Sequence, residues 1–179
     1  ITDAWTPAFS DPGYLLVRAC IERGIDVECF PGATAFVPAL VVSGLPSDRF
    51  IFEGFLPVKK GRQTKLKEIA NSGCTTILYE SPHRLVKTLE QLSEHLGAET
   101  PVAAVRELSK LYEEVIRGTL TEVIQHFTAH EPRGEFVLIV GKSTVSDKKQ
   151  ITIDPIHSSS DEEDRRKMKR SKKWNKLIE

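Results

Sequence analysis

Short apolar stretches alternate with amphipathic ones between residues 45 and 142, in the way that strands alternate with helices in a layered fold. The apolar stretches are short and end at turn-forming residues, which predicts five strands, at 50–56, 74–79, 102–105, 113–117 and 136–140. Between them, apolar positions at helical spacing predict a basic helix over 61–72, a helix that follows Ser81 and ends at Gly97, and a helix that begins at Thr119. This order predicts a complete small α/β domain over residues 46–142.

Residues 1–45 carry a different arrangement. A loop over 1–13 precedes an apolar helix over 14–21, a short strand over 27–30 and a second helix over 33–42. The second helix is apolar at almost every position, which predicts that it is buried on most sides. Because such a surface needs a cover, we expect further strands or a second copy of the chain to pack on it, and the chain to form a homodimer.

The last segment, 143–179, differs in composition. Acidic and serine residues at 158–164 are followed by eight lysines and arginines within 165–176. Adjacent blocks of opposite charge without apolar periodicity predict a disordered tail. The functional alternative is an arm that binds RNA phosphates.

Composition excludes several classes of protein. The chain has 25 basic and 25 acidic residues, so any nucleic-acid contact must come from local patches. Three widely spaced cysteines favour buried thiols in a reducing cytoplasm over disulfides. No apolar run reaches the roughly 18 residues that span a bilayer, and the five histidines show no convincing metal-ligand spacing. We therefore expect a cytoplasmic protein without a metal.

Polar side chains collect where the predicted strands end. Asp3 stands in the opening loop, Glu80 and Arg84 follow the second strand of the larger domain, and Arg106 and Glu107 follow the third. The carboxyl ends of parallel strands are where open α/β sheets bind small ligands. Each group also has a plain structural interpretation, as a helix cap or an ion pair, and residues alone leave that choice open.

Several motifs occur in the order known from one enzyme family. They are Asp3-Ala4-Trp5-Thr6-Pro7-Ala8-Phe9-Ser10-Asp11-Pro12-Gly13, Pro31-Gly32-Ala33-Thr34-Ala35, Phe52-Glu53-Gly54-Phe55-Leu56-Pro57, Tyr79-Glu80-Ser81-Pro82-His83-Arg84-Leu85, Arg106-Glu107-Leu108-Ser109-Lys110 with Gly118-Thr119-Leu120, and Glu131-Pro132-Arg133-Gly134-Glu135-Phe136. Together they resemble the tetrapyrrole-methylase-like family of S-adenosylmethionine methyltransferases. Within it, the chain is most similar to the bacterial enzymes that methylate a cytidine 2′-hydroxyl in small-subunit ribosomal RNA.

The resemblance implies a fold, a cofactor and a substrate. It makes residues 1–45 an incomplete N-terminal subdomain that binds S-adenosylmethionine and 46–142 the C-terminal subdomain. It implies cofactor contacts from Asp3, Ala4, Thr6, Pro7, Tyr79, Glu80, Ser81, Pro82, Arg106, Arg133 and Gly134. The candidate catalytic residues are Glu107, Glu80 and Lys110, with the general base left open among them. The implied RNA contacts are Lys59, Lys60, Arg62, Lys65 and Arg84.

Two positions depart from the family pattern. Trp5 stands where the family has glycine, and Tyr112 stands where the subfamily usually has histidine. Two alternative functions remain. One is a catalytically silent chain that binds RNA or a partner through the basic helix and the tail. The other is a tetrapyrrole methyltransferase, since the wider family includes porphyrin and corrin methylases.

Overall fold

A computed structural model describes residues 13–143 of the chain. The predictions for Asp3 to Pro7 and for the tail therefore lie outside the described residues. The elements are α1 (Tyr14–Glu22), α2 (Phe36–Ser43), β1 (Phe50–Phe55), α3 (Arg62–Asn71), β2 (Thr75–Glu80), α4 (Leu85–Leu96), β3 (Pro101–Arg106), β4 (Glu114–Thr119), α5 (Leu120–Ala129) and β5 (Phe136–Val140). The α/β class, the five strands and the three helices between them are confirmed.

The five strands form one mixed sheet in the order β1-β2-β5-β3-β4. β1 pairs with β2 in parallel, whereas β5 is antiparallel to both β2 and β3, and β3 is antiparallel to β4. Thus β1, β2 and β3 run in one direction and β4 and β5 in the other. One edge of the sheet therefore carries the carboxyl ends of β1, β2 and β3 and the amino ends of β4 and β5.

Alternation along the strands separates two cores. One face of the sheet packs against α3, α4 and α5 through leucines such as Leu66, Leu89 and Leu92. The opposite face packs against α2, where Ala39 and Leu40 are buried against strand residues that include Ile139. Because successive side chains of a strand point to opposite faces, nearly unbroken apolar strands such as β5 serve both cores at once.

The first of the two helices predicted in residues 1–45 is less buried than its composition suggests. α1 has no buried residue. The second helix, α2, begins at Phe36 and buries one face, while Val37 and Val41 are 47% and 73% exposed. The predicted burial of this helix therefore holds for six of its eight residues and fails at Val37 and Val41, which lie on the side away from the sheet.

The strand predicted over 27–30 is also wrong. These residues are exposed and irregular. A strand is stable only when its backbone groups pair with a neighbouring strand, and the sheet formed by the described residues contains only β1 to β5. The apolar residues of this segment have the pattern of a strand, but among the described residues no neighbouring strand pairs with them.

The helices predicted to follow Ser81 and to begin at Thr119 start in different ways. Thr119 and Glu122 form a complete capping box, with the Glu122 N–H donating to Thr119 Oγ1 at 3.2 Å and the Thr119 N–H donating to Glu122 Oε2 at 2.8 Å. The Ser81 side chain, by contrast, makes no capping hydrogen bond; Pro82–Arg84 form a 3₁₀ turn that leads into α4. The Ser81 backbone N–H instead donates to the buried Glu80 carboxylate at 2.9 Å.

Candidate active site

A cavity of about 530 Å³ opens at the edge of the sheet where β1, β2 and β3 end. Its walls come from five places: the residue before α2, the end of β1, the end of β2 with the turn after it, the end of β3 with the turn after it, and the start of β5. The lining residues are Ala35, Phe55, Tyr79, Glu80, Ser81, Pro82, Val105, Glu107, Leu108, Lys110, Glu135, Phe136 and Val137. This volume lies within the range of about 300–1,000 Å³ that is usual for small-molecule sites.

Part of the cavity wall is one row of side chains that crosses four strands. Phe55 pairs with Tyr79, Tyr79 with Val137, and Val137 with Val105. Residues directly opposite each other on neighbouring strands project from the same face. The row faces the side of the sheet that α2 covers, so the wall it forms is apolar and partly aromatic.

Tyr79 is the polar member of this row. Its ring lies edge-on to Phe52, with centroids 5.2 Å apart, and 5.6 Å from the ring of Phe55. Burial raises the pKa of the Tyr79 hydroxyl, and a hydrogen bond with the backbone of Phe36 opposes that rise. Tyr79 therefore stays protonated at neutral pH and joins β2 to the first turn of α2.

Glu80, the last residue of β2, is buried with 2% of its surface exposed. Its Oε1 accepts from the Ser81 N–H at 2.9 Å and from Arg84 Nη2 at 2.7 Å, and its Oε2 accepts from Thr88 Oγ1 at 2.7 Å. Every one of these donors belongs to the turn or helix that follows β2. The carboxylate thus fixes the path of Ser81 and Pro82 along the cavity, which is a positioning role.

Arg62 belongs to the same hydrogen-bond network. It is buried, whereas its position in a run of basic residues predicts an exposed side chain. It is only 7% exposed, and its guanidinium donates to Thr88 Oγ1 at 2.7 Å, to Gln91 Oε1 at 2.7 Å and to the Pro57 carbonyl at 3.1 Å. Burial lowers the pKa of Arg62 and the Glu80 charge opposes that effect. The structure gives Arg62 a role within the fold, so the expectation that it contacts RNA is dropped.

Glu107, Lys110 and Glu135 form a group of hydrogen bonds and ion pairs on the cavity wall after β3. Glu107 has a positive φ of 45°, and its Oε1 accepts from the Glu135 N–H at 2.8 Å. Lys110 Nζ lies 3.2 Å from Glu107 Oε2 and 3.1 Å from Glu135 Oε2. The Glu135 N–H and the Lys110 ammonium lower the pKa of Glu107. Glu135 and Glu107 in turn raise the pKa of Lys110.

The remaining cofactor candidates lie away from the cavity wall. Arg106 Nη1 donates to Glu114 Oε2 at 3.2 Å on the neighbouring strand, and Arg133 is paired with Glu131 at 3.0 Å in an exposed loop. Gly134 contributes indirectly, because it leaves the space that Glu107 occupies. Among the predicted cofactor residues that the structure describes, Tyr79 to Pro82 come together on one wall.

The RNA candidates divide in a similar way. Lys59 and Lys60 are exposed in the turn after β1, on the same edge of the sheet as the cavity. Lys65 is paired with Glu53 at 3.2 Å and Glu68 at 2.8 Å, and Arg84 is held by Glu80. Lys59 and Lys60 are therefore the better placed of the five predicted contacts.

Sequence reasoning missed several residues of the cavity wall, namely Ala35, Phe55, Val105, Leu108, Glu135, Phe136 and Val137. Five of them stand in the quoted motifs without a predicted site role, and Val105 and Val137 lie in predicted strands. The period of two along the strands could have placed Val105 and Val137 on the Tyr79 face. The strand order could not be inferred from the sequence, and it is the order that brings them side by side.

Two further properties concern the described residues. Within 13–143, no group of three histidine, cysteine or acidic side chains could hold a metal ion. His126 and His130 stack with ring centroids 4.7 Å apart at the end of α5. Over the same range, every helix is too short or too polar to cross a bilayer.

Curated proteins similar to the chain carry a common name. "Ribosomal RNA small subunit methyltransferase I" of Synechocystis sp. is 48% identical over 149 residues, which are 83% of this chain and 53% of that protein. The proteins of the same name from Mycobacterium tuberculosis and Thermotoga maritima are 46% and 41% identical, over 78% of this chain and 49% and 63% of their own lengths. The chain thus spans about half the length of most of these relatives.

Solved structures share the fold. The methyltransferase CobJ superposes with a TM-score of 0.59 at 18% identity, covering 79% of this chain and 63% of that one. Uroporphyrin-III C-methyl transferase from Thermus thermophilus, complexed with S-adenyl homocysteine, gives 0.53 at 21% identity, covering 78% and 63%. The Tetrapyrrole (Corrin/Porphyrin) Methylases pattern matches residues 6–124. Because this match covers more than half of its residues, the chain belongs to the tetrapyrrole methylase family.

Proposed function

We propose that the chain takes part in methyl transfer from S-adenosylmethionine to a cytidine ribose 2′-hydroxyl of small-subunit ribosomal RNA, in the cytoplasm. The relatives at 41–48% identity are named as small-subunit ribosomal RNA methyltransferases, which supports the RNA substrate. A neighbour with the same fold is complexed with S-adenyl homocysteine, the demethylated form of that donor, which supports the cofactor.

One observation carries the proposal. Five motifs of the family resemblance, which are far apart in sequence, contribute to the wall of one cavity. They supply Ala35, Phe55, Tyr79 to Pro82, Glu107 with Leu108 and Lys110, and Glu135 with Phe136. In an open sheet, the carboxyl ends of the strands are the usual place for a ligand, and here β1, β2 and β3 all end at the cavity.

The residues of the cavity fit S-adenosylmethionine in size and in chemistry. A purine ring suits the apolar row of Tyr79, Val137 and Val105, and hydroxyl groups suit the carboxylates of Glu107 and Glu135. Arg84 neutralises the Glu80 carboxylate, which leaves the carboxylates of Glu107 and Glu135 against the one ammonium of Lys110. An excess of negative charge favours a cationic sulfonium compound over an anionic one.

The chemistry asks little of the protein beyond position. When bound, S-adenosylmethionine supplies a methyl group already activated by the sulfonium. The protein then has to hold the acceptor hydroxyl in line and exclude water. Glu80 fixes Ser81 and Pro82, and the Glu107–Lys110–Glu135 ion pairs fix the opposite rim. Hydrogen bonds and ion pairs on both sides of the cavity support such positioning.

The three candidate bases differ in what they offer. Glu80 is the weakest candidate, because its Oε1 accepts hydrogen bonds from Ser81 and Arg84 and its Oε2 accepts one from Thr88. Lys110, with its raised pKa, stays protonated at neutral pH. Glu107 stays ionised, and its lowered pKa makes it a weak base but a good hydrogen-bond acceptor for a hydroxyl. We therefore assign Glu107 to orienting the acceptor hydroxyl and accepting its proton, and Lys110 to stabilising negative charge on the oxygen.

The tetrapyrrole alternative is less well supported. The methyltransferase CobJ is 18% identical and uroporphyrin-III C-methyl transferases of Thermus thermophilus are 21–26% identical, whereas the ribosomal RNA enzymes reach 48%. The alternative of a silent, RNA-binding chain differs from the proposal in one expectation: it predicts no binding of S-adenosylmethionine. The homodimer remains part of the proposal, since Val37 and Val41 of α2 are exposed.

The proposed function is tested by transfer of tritium from methyl-labelled S-adenosylmethionine to small-subunit particles that lack the modification. We expect label in the RNA, and we expect the labelled linkage to resist alkaline hydrolysis, since a methylated 2′-oxygen cannot attack the phosphate. Label in a base would contradict the ribose assignment. Binding of the donor without transfer would show a site without activity, and no binding would support the silent alternative.

A further inference from the structure

Large apolar side chains are exposed on two loops beside the cavity. Phe55 and Val58, at the end of β1 and just after it, are 59% and 71% exposed. Leu111 and Tyr112, in the turn that follows β3, are 89% and 68% exposed. Single exposed apolar residues are common, but four grouped at one sheet edge beside a cavity mark a contact surface.

The strand order places these loops on opposite sides of the cavity. β2 and β5 lie between β1 and β3 in the sheet. With neighbouring strands about 4.8 Å apart, β1 and β3 are separated by about 14 Å at their carboxyl ends. Phe55 and Lys110, one from each side, both line the cavity. The two loops therefore form a rim with the cavity between them.

Positive charge accompanies the apolar side chains on this rim. Lys59 and Lys60 follow Val58 directly and are exposed. Within residues 13–143, neither ammonium group takes part in an ion pair, whereas Lys65 is held between two glutamates. Aromatic rings interleaved with unpaired lysines suit a polyanion that also carries flat apolar groups, which describes a single nucleic-acid strand.

We propose that the rim binds an unpaired RNA strand, with a base stacked on Tyr112, a second base against Phe55, and the phosphates beside Lys59 and Lys60. This inference rests on the proposed function and narrows its substrate to RNA whose target nucleotide is out of a helix. Duplex RNA keeps its bases stacked on one another, so it offers the exposed rings no face to contact.

The position of Tyr112 gives it a specific task. It comes two residues after Lys110, which lines the cavity. A base held on Tyr112 would bring the adjoining ribose toward the cavity, where the acceptor hydroxyl is needed. Tyr112 is therefore proposed as a positioning residue for the acceptor, with no contact to the methyl donor.

The test measures affinity of the full chain for a short single-stranded RNA, by fluorescence anisotropy, and for the same RNA annealed to its complement. We expect the single strand to bind more tightly. We expect Tyr112→Ala to weaken binding about 5- to 100-fold, as loss of base stacking does, and Tyr112→Phe to keep wild-type affinity. Because stacking depends little on salt, the ratio of Tyr112→Ala to wild type should persist when salt is raised.

The charged part of the rim is tested separately. The double variant Lys59→Gln/Lys60→Gln should lower affinity and reduce its dependence on salt. Lys142→Gln is the matched control, since Lys142 is exposed and follows β5 at the opposite edge of the sheet. Equal losses in the control and the double variant would overturn the assignment of phosphates to this rim.

Three results would overturn the inference. The first is tighter binding of the duplex than of the single strand, and the second is unchanged RNA affinity of Tyr112→Ala. The third is a change in the oligomeric state of Tyr112→Ala without a change in its RNA affinity. That result would make the rim a contact between copies of the chain. Calorimetry with S-adenosylmethionine distinguishes this failure from failure of the proposed function. If the donor binds and the RNA results fail, only the rim assignment falls.

Discussion

Gly134 and Glu107 lie so close that a Cβ added to Gly134 would be 2.6 Å from Glu107 Cγ. Gly134 has a φ of +82° and Glu107 one of +45°, so both residues adopt backbone conformations that side chains disfavour. This contact lets the Glu107 carboxylate reach the Glu135 N–H and so fixes one rim of the cavity.

Gly134→Ala should therefore destabilise the fold and displace Glu107. We expect a loss of about 2–4 kcal/mol in the free energy of unfolding, because strain at positive φ adds to the clash. Gly73→Ala is the matched control, since Gly73 has a φ of +63° with open space around it, and it should cost about 1 kcal/mol. Urea unfolding measures both, and equal losses would show that the contact with Glu107 is unimportant.

Thr88→Val should weaken the hydrogen-bond network of Glu80 and Arg62, on the other side of the cavity from Glu107. The hydroxyl of Thr88 donates to Glu80 and accepts from Arg62, so its removal leaves two buried charged groups short of a partner. We expect a loss of about 1–3 kcal/mol by urea unfolding.

Thr128→Val is the control for Thr88→Val. Thr128 Oγ1 donates to the Ile124 carbonyl on the exposed side of α5, and its loss should cost less than about 0.5 kcal/mol. A loss at Thr88 as small as this would mean that water replaces the hydroxyl and that the network does not fix Glu80.

Stability should depend on pH through Glu107. Its pKa is lower in the folded chain than the ordinary glutamate value of about 4.3, so ionisation stabilises the fold above that pH, and this contribution is lost as pH falls through the folded pKa. The free energy of unfolding of wild type minus that of Glu107→Gln should be constant above about pH 5 and shrink below about pH 4. Glu99→Gln, in an exposed turn, is the control, and a parallel pH profile for the two variants would contradict the assignment.

Arg117→Ala should loosen α2. Arg117 extends from β4, and its Nε donates to the Val42 carbonyl in the last turn of the helix at 2.9 Å. Charged donors stabilise the free carbonyls at a helix carboxyl end. We expect a loss of about 0.5–1.5 kcal/mol and faster amide exchange in α2. Arg23→Ala, which removes a similar contact to the Ala19 carbonyl in the exposed α1, should leave exchange in α2 unchanged.

Sequence predicted the strands and helices between residues 46 and 142 well because their signals are local. Alternation, turn residues and the Thr119 capping box specify each element without reference to the others. The wrong prediction of a strand at 27–30 has the opposite cause. A strand needs a neighbouring strand to pair with, and the sequence of the segment does not show whether one is present. The sequence likewise predicted that polar groups gather at strand ends, and Glu80, Glu107 and Lys110 all line one cavity.

Burial was the property that sequence predicted least well. Arg62 stands in a run of lysines that indicates an exposed basic face, yet it turns inward to Thr88 and Gln91. A guanidinium has five donors, so it can be buried where several acceptors meet, and that meeting depends on α3 packing against α4. Tyr79 and Val137 likewise become neighbours only through the pairing of β2 with β5.

The central claim is that this cavity holds the methyl donor, and calorimetric titration of the full chain with S-adenosylmethionine tests it most directly when a cavity-filling variant is included. Leu108→Trp places a larger side chain on the cavity wall, and Leu111→Trp makes the same change three residues on, outside the cavity lining. The account predicts binding by wild type and by Leu111→Trp, and loss of at least about tenfold in affinity for Leu108→Trp. Equal affinity of all three proteins would place the donor elsewhere and contradict the account.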